Sequence, residues 1–295
     1  MEAHIQSVID ALRHSNRGAV PRGELFISRA FLDHYFGRHG STYSQKLAAA
    51  AQSMGLSLVG IDLNDPSSQP VASRDELEEL TPFFVVGYVD GPMERLIEAH
   101  GFTAAMKSLK KEPSLFSSLA SDVLREVEEA AEAGRRGGLS ALAIADDIAG
   151  NRGLLFSPDY FVEAVCPVYR DMARIISEHG LSPFFHSDGD IRKIIGPLIE
   201  AGYQCIHPVD AGGGLDIYDL RAQFGNTISF MGHLDIMAWD VARIKAEKAR
   251  AESSFAKGGL ILGSMGGLSM EVRPDALAAL YGDDEGLALG TAWDG

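Results

Sequence analysis

Short apolar runs alternate with amphipathic stretches along nearly the whole chain, and most runs stop at a polar or glycine-containing turn before the next stretch begins. Eight runs have the composition of buried strands: 24–28, 56–62, 83–89, 141–146, 182–186, 204–208, 228–233 and 260–264. Between them lie segments with apolar residues three and four apart, such as 160–178 (Val165, Val168, Met172, Ile175, Ile176) and 191–201, which predict helices. Stop signals precede the last five strands, at Gly138, Gly180, Gly202, Gly225 and Gly258-Gly259. The long section 91–139 predicts helices broken at Pro113, with a charged surface helix over 121–135. Residues 1–16 predict an outer N-terminal helix, 274–281 a last helix, and 282–295 a loosely held tail.

An unbroken β-α series with eight strands in about 250 residues predicts an α/β fold of the closed type, a (β/α)8 TIM barrel with an N-terminal helical extension. The open alternative, a doubly wound sheet, should show a phosphate-binding fingerprint early in the chain. Gly212-Gly213-Gly214 has neither the Lys-Ser/Thr of a P-loop nor the spacing of a dinucleotide loop. No low-complexity linker interrupts the series, so residues 1–295 are expected to form a single domain.

Composition narrows the function classes. With 26 Lys+Arg against 41 Asp+Glu the net charge is −15, and no basic stripe is present to hold a phosphate backbone, so a nucleic-acid partner is not expected. Hydrophobic residues at 46% are enough for a packed core and argue against disorder. The longest apolar stretches, such as 81–89, are too short to span a bilayer, and the first 16 residues carry mixed charges, which predicts a cytoplasmic protein without a membrane partner. Cys166 and Cys205 lie in a helix and in a buried strand, where a thiol acts as a small hydrophobe.

In a barrel the reactive groups stand at the C-terminal ends of the strands. Those ends carry Asp62 and Asn64; Tyr88 and Asp90; Asp146 and Asp147; His186, Asp188 and Asp190; His207 and Asp210; His233 and Asp235; and Ser264 with Met265. Histidines close strands five, six and seven. Imidazole and carboxylate together suit a divalent-metal or an acid/base site, and His186 and Asp188, two apart, share one side of an extended strand end. The plainer alternative is that such residues only bond loop backbones and form Asp-Gly turns. Asp146-Asp147 would need a cation, a donor or Arg152 between the two carboxylates; alternatively Asp147 caps a turn and Asp146 pairs with Arg152. Ser157-Pro158 reads as a helix N-cap followed by its first residue. Gly263, Gly266 and Gly267 would let a flat ligand approach the backbone beside Met265.

These residues also carry a family resemblance. The run from Asp146-Asp147-Ile148-Ala149-Gly150-Asn151-Arg152 to Ser157-Pro158-Asp159-Tyr160-Phe161 resembles the uroporphyrinogen decarboxylase superfamily, especially its corrinoid-dependent methyltransferase branch. Gly91-Pro92, Glu112-Pro113, Phe185-His186-Ser187-Asp188-Gly189, Pro208-Val209-Asp210 and Gly232-His233-Leu234-Asp235 follow in the same order, over residues 10–280. The resemblance implies a barrel with its cleft at the strand C-termini, and a homodimer by analogy. It also has departures. Decarboxylases of the family hold porphyrinogen carboxylates with an Arg-Gln-Ala-Gly-Arg segment, whereas this chain has Ser28-Arg29-Ala30-Phe31-Leu32. In the methyltransferase branch a zinc ion is held by His-x-Cys after strand five and by a cysteine near strand eight; here His186 is kept, Asp188 stands at the first cysteine's place and Ser264 near the second.

The implied enzyme is therefore methyltransferase-like, moving a methyl group between a small-molecule substrate and a cobalamin cofactor or a corrinoid supplied by a partner protein. Any metal, zinc or similar, would be held by nitrogen and oxygen through His186 and Asp188, which is compatible with activation of a methoxy or hydroxyl group and equally with no metal at all. His186, Asp188 and Asp146 are the expected catalytic residues. Asp147, Arg152, Tyr88, His207, Asp210, His233, Asp235, Ser264 and Met265 are the expected substrate-binding residues. Two alternatives stay open: a lyase that decarboxylates a tetrapyrrole or other carboxylated ring, and a non-catalytic barrel that binds a tetrapyrrole or corrinoid.

Overall fold

The computed structural model describes residues 2–40, 42–64, 77–111 and 113–282. The expected tail therefore lies, from residue 283 on, outside the described residues, as does Glu112 before the Pro113 break. Eight strands form one sheet: β1 (Gly23–Glu24), β2 (Leu58–Asp62), β3 (Phe84–Asp90), β4 (Ala141–Ala145), β5 (Ser182–His186), β6 (Cys205–His207), β7 (Ser229–Leu234) and β8 (Leu260–Ser264). Their order in the sheet is their order in the chain. The pairs β1–β2, β4–β5, β5–β6 and β7–β8 are parallel, and a parallel bridge from Arg22 to Leu262 joins the first strand's entry to the last strand. Eight parallel strands in this order, with helices between them, are a (β/α)8 barrel.

The chain divides into two compact units: the described residues of 1–61, 73–86 and 229–295, and those of 62–72 and 87–228. In the first unit β8 reads Leu-Ile-Leu-Gly-Ser and is buried throughout, as a parallel strand covered on both faces should be. The N-terminal helix Glu2–Leu12 buries Val8 and Ala11. It is tied to the turn before β8 by Gly259 N–H donating to the Ala11 carbonyl at 2.8 Å. Gly258 is in the left-handed region at φ 107°, and a Cβ there would stand 2.7 Å from His14 Cα, so this docking turn requires glycine.

The first strand is shorter than the apolar run 24–28 predicts. After Glu24 the chain leaves the ladder, Ile27 makes only an isolated bridge to Leu268, and Ser28 caps the helix Arg29–Phe36 by accepting from Phe31 N at 3.2 Å.

In the second unit β4 reads Ala-Leu-Ala-Ile-Ala, buried at every position. The charged section folds as Pro92–His100, Phe102–Lys111 and Pro113–Gly137. The last of these extends well past 121–135 because Phe116, Ala120, Val123, Val127 and Ala131 form a buried stripe at three- and four-residue spacing. The expected helix 160–178 is interrupted. Pro167 has no N–H and crowds the turn before it, so Phe161–Val165 widens into a π turn between Pro158–Tyr160 and Cys166–Glu178. Ser157 caps this assembly as the sequence predicts, accepting from Tyr160 N at 3.2 Å. The expected helix 191–201 begins only at Ile195, which keeps Pro197 within the first turn, where a missing N–H costs nothing. Among the described residues no helix is long and apolar enough to cross a membrane.

Candidate active site

Strands β4, β5 and β6 end side by side. Ala145 is in register with His186, and His186 with His207. Register places side chains of neighbouring strands on the same face, so the histidines that close β5 and β6 meet. Their Nδ1 atoms are 2.8 Å apart, and both rings are buried. Burial disfavours the imidazolium in both, lowering their titration.

The chain after β4 approaches the chain after β5. Asp146 N–H donates to the His186 carbonyl at 2.9 Å, and Ile148 N–H to the Ser187 hydroxyl at 3.1 Å. Asp147 is thereby set beside the β5 end. Its Oδ1 accepts from Asp188 N–H at 2.8 Å and lies 3.7 Å from His186 Nε2. Asp188 reaches the surface, and the packing around its carboxyl, with repulsion from Asp147 and Asp210, raises its pKa to about 6.

Asp147, His186 and Asp188 each offer a ligand atom, all within 4.8 Å of one another. Ligand atoms each about 2.1 Å from a tetrahedral ion stand ~3.4 Å apart, so the 3.7 Å between His186 Nε2 and Asp147 Oδ1 is close to that spacing. One imidazole and two carboxylates form a nitrogen and oxygen donor set, which fits zinc or a harder divalent ion and lacks the thiolates that select softer metals. The sequence places His186 and Asp188 in the metal role; the fold adds Asp147 to them.

Asp210, after β6, braces this face. Its Oδ2 accepts from Gly189 N–H and its Oδ1 from Gly213 N–H, each at 2.9 Å. Gly189 has φ 84°, and a Cβ there would stand 2.8 Å from the backbone of Ala149 and Gly150, so the turn after Asp188 admits only glycine. Arg152 is exposed in the turn of the small hairpin Ala149–Gly150/Gly153–Leu154. It does not pair with Asp146. That carboxyl is fully buried and accepts from Met93 N–H at 3.2 Å, from Glu94 N–H at 2.7 Å and from the Tyr169 hydroxyl. Burial raises its pKa to about 7 against these donors. Asp146 thus caps the helix Pro92–His100 from outside it, and a Cβ at Gly91 would overlap its carboxyl group. Tyr88 is half-buried on β3, and at that strand's end Asp90 exchanges two hydrogen bonds of 3.0 Å with Asn64.

The remaining expected residues belong to the first unit. His233, next to last in β7, has φ 99°, with Nε2 3.5 Å from Glu247 and its ring edge-on to Trp239. Asp235 accepts from Ala238 N–H at 2.9 Å, a turn bond. Met265 is half-buried, and its N–H donates to the Leu234 carbonyl at 3.0 Å. Ser264 is committed to Glu24: its N–H and its hydroxyl each donate to that carboxyl at 2.8 Å, and the Tyr281 hydroxyl makes a third, short bond. Burial lifts Glu24 to about 7, and these donors hold it down. Glu24 and Tyr281 are absent from the sequence-based reading, which names only their partner Ser264; the available signal was a lone acid within the apolar run 24–28. Two of the glycines at the end of β8 and after it serve the fold instead of a ligand: a Cβ at Gly263 would overlap the Gly23 carbonyl, and one at Gly267 would stand 2.5 Å from the Phe26 carbonyl. Only Gly266 is open.

A family profile for uroporphyrinogen decarboxylase matches residues 72–282. A comparison with curated proteins finds no match. Among solved structures the chain is similar to a methyltransferase from Methanosarcina mazei, with 16% identity, a TM-score of 0.75, and coverage of 94% of this chain and 96% of that one. It is also similar to a sugar phosphate isomerase/epimerase from Parabacteroides distasonis, at 8% identity and a TM-score of 0.53, over 90% of this chain and 94% of that one. A beta-mannanase from the blue mussel Mytilus edulis, at 13% identity and a TM-score of 0.51, covers 92% of this chain and 93% of its own. At these identities the likenesses speak for the barrel alone. The profile match spans well over half of the sequence and includes every strand end of the candidate site, so this chain belongs to the uroporphyrinogen decarboxylase family.

Proposed function

We propose that the chain is a methyltransferase that moves a methyl group between a small oxygen-bearing substrate and a corrinoid carried by a partner protein. The observation that carries the reading is the cluster of Asp147, His186 and Asp188 at neighbouring strand ends. The fold shared with the Methanosarcina mazei methyltransferase supports it. A divalent cation, when bound, supplies Lewis acidity toward the substrate oxygen. Neutral His186, buried and 3.7 Å from Asp147, offers nitrogen to that ion, and Asp147 and Asp188 offset its charge. Asp210 holds the Asp188 turn by accepting from Gly189 N–H, while its other oxygen accepts from Gly213 N–H in its own loop. With two carboxylates and no cysteine in the set, the site favours a hydroxyl or methoxy compound over a thiol.

The test is acceptor-dependent demethylation of methylcobalamin, followed by its visible spectrum, with zinc-loaded protein and a panel of small alcohols, phenols and thiols. Demethylation with an oxygen acceptor, lost in His186→Ala, is the expected result. Carbon dioxide release from a carboxylated ring, or tight corrinoid binding without demethylation by any acceptor, would overturn the proposal.

A further inference from the structure

The Nδ1 atoms of His186 and His207 are 2.8 Å apart, so between neutral rings one must donate and the other accept, and the tautomers of the two are locked together. The consequence falls on His186 Nε2, the atom beside Asp147. If His207 donates, a neutral His186 carries its own proton on Nε2 and has no lone pair there. If His186 donates, Nε2 is bare and its lone pair faces the two carboxylates.

We propose that His207 is a positioning residue that accepts the His186 Nδ1 proton and thereby presents His186 Nε2 to a divalent cation at Asp147 and Asp188. The inference rests on the metal site of the preceding reading and adds to it a residue that touches neither cation nor substrate. Three observations support it. The rings are register partners, so the contact follows from the sheet itself. Their planes lie 31° apart with centroids at 5.1 Å, close enough to hold the nitrogen pair in place. Both side chains are buried, His207 at 1% exposure and His186 at 8%, so bulk water is a poor substitute for the missing acceptor. Ser187 N–H, donating to the His207 carbonyl at 3.0 Å, fixes the two strand ends beyond the pair. Ligating histidines commonly donate their second N–H to an acceptor that orients the ring. Here the acceptor is another imidazole, which carries no charge of its own and so leaves the acidity of the cation to the carboxylates.

The test compares wild type with His207→Asn, whose side-chain oxygen can stand near the lost Nδ1, and with His207→Leu, which has no acceptor. Cobalt(II) alone is titrated in and followed by visible absorption, and ¹⁵N shifts of the His186 ring are read in zinc-loaded wild type. The expected results are cobalt affinity about 10- to 100-fold weaker in His207→Leu and largely restored in His207→Asn, with His186 protonated at Nδ1 and metal-bound at Nε2. Equal affinity in His207→Leu, equal losses in both variants, or metal at His186 Nδ1 would overturn the inference while leaving the metal site standing. A wild type that takes up no cobalt or zinc would overturn both. The ¹⁵N measurement needs no variant, so a His207 substitution that fails to fold does not protect the claim.

Discussion

Replacing Glu24 with glutamine should make the protein more stable at alkaline pH and leave it nearly unchanged in acid. Glu24 is fully buried at β1, its Oε1 accepting from Ser264 N–H and the Tyr281 hydroxyl and its Oε2 from the Ser264 hydroxyl. Glutamine keeps the oxygen for the first two donors, and its amide can donate to the Ser264 oxygen once that hydroxyl rotates. The difference is charge. Burial raises the Glu24 pKa from 4.5 to about 7, more than the three donors lower it. Below pH 4.5 the folded and unfolded chains both hold the proton, and the stability of a neutral, bonded side chain is fully present. From there to about pH 7 the unfolded chain releases the proton while the folded chain keeps it, so stability falls as pH rises and the loss is complete above that range. The gap between 4.5 and about 7 corresponds to about 3 kcal/mol. Arg22, whose guanidinium donates to the Tyr281 carbonyl at 3.3 Å, is present in both proteins. Urea unfolding of wild type and Glu24→Gln at a series of pH values across this window isolates the effect, because other titrations cancel in the difference. Parallel stability curves, or a glutamine variant that is the weaker protein in alkali, would show that Glu24 does not carry this pH dependence.

Other substitutions separate scaffold from chemistry. Asp146→Ala removes the acceptor for Met93 N–H, Glu94 N–H and the Tyr169 hydroxyl, and should cost about 3 kcal/mol in urea unfolding, since two of those donors are left buried. His186→Ala should abolish zinc uptake and methyl transfer while the melting temperature falls by only a few degrees; a large loss of stability would assign the residue to structure. Asp210→Ala should cost about 2 kcal/mol by orphaning Gly189 and Gly213 N–H, and should also weaken cobalt binding through the loosened Asp188 turn. Cobalt affinity unchanged in that variant would show that the turn does not need its brace.

The strands were legible because a parallel strand buried on both faces reads as a short apolar run, and β5 and β8 fall where those runs lie. What the runs could not show is where a strand stops pairing. At β1 the ladder ends at Glu24, one residue into an apolar run that continues, because Ser28 starts a helix. Helices were legible by periodicity except where proline intervenes. Pro167 splits the helix 160–178, and Pro197 confines another to Ile195–Ala201, effects that depend on the missing N–H and not on hydrophobicity.

His186 and Asp188 could be picked out because they are neighbours in sequence at a strand end. Asp147 as the third member of the cluster required the β4–β5 register, and the His186–His207 contact required that of β5–β6. Glu24 meets Tyr281 across 257 residues of sequence, a distance at which no local pattern operates. Asp146 shows the reverse limit: a carboxylate at a strand end looks chemical in sequence, and the fold spends it on a helix N-terminus and a buried tyrosine.

The most direct test of the central claim is the zinc content of the purified, zinc-equilibrated protein after removal of loosely held ions, measured in wild type and in Asp147→Ala, His186→Ala and Asp188→Ala. One zinc per chain in wild type, and a large loss in each of the three variants, is the result predicted. Zinc absent from wild type, or retained in all three variants, would contradict the assignment of these strand ends as the metal site.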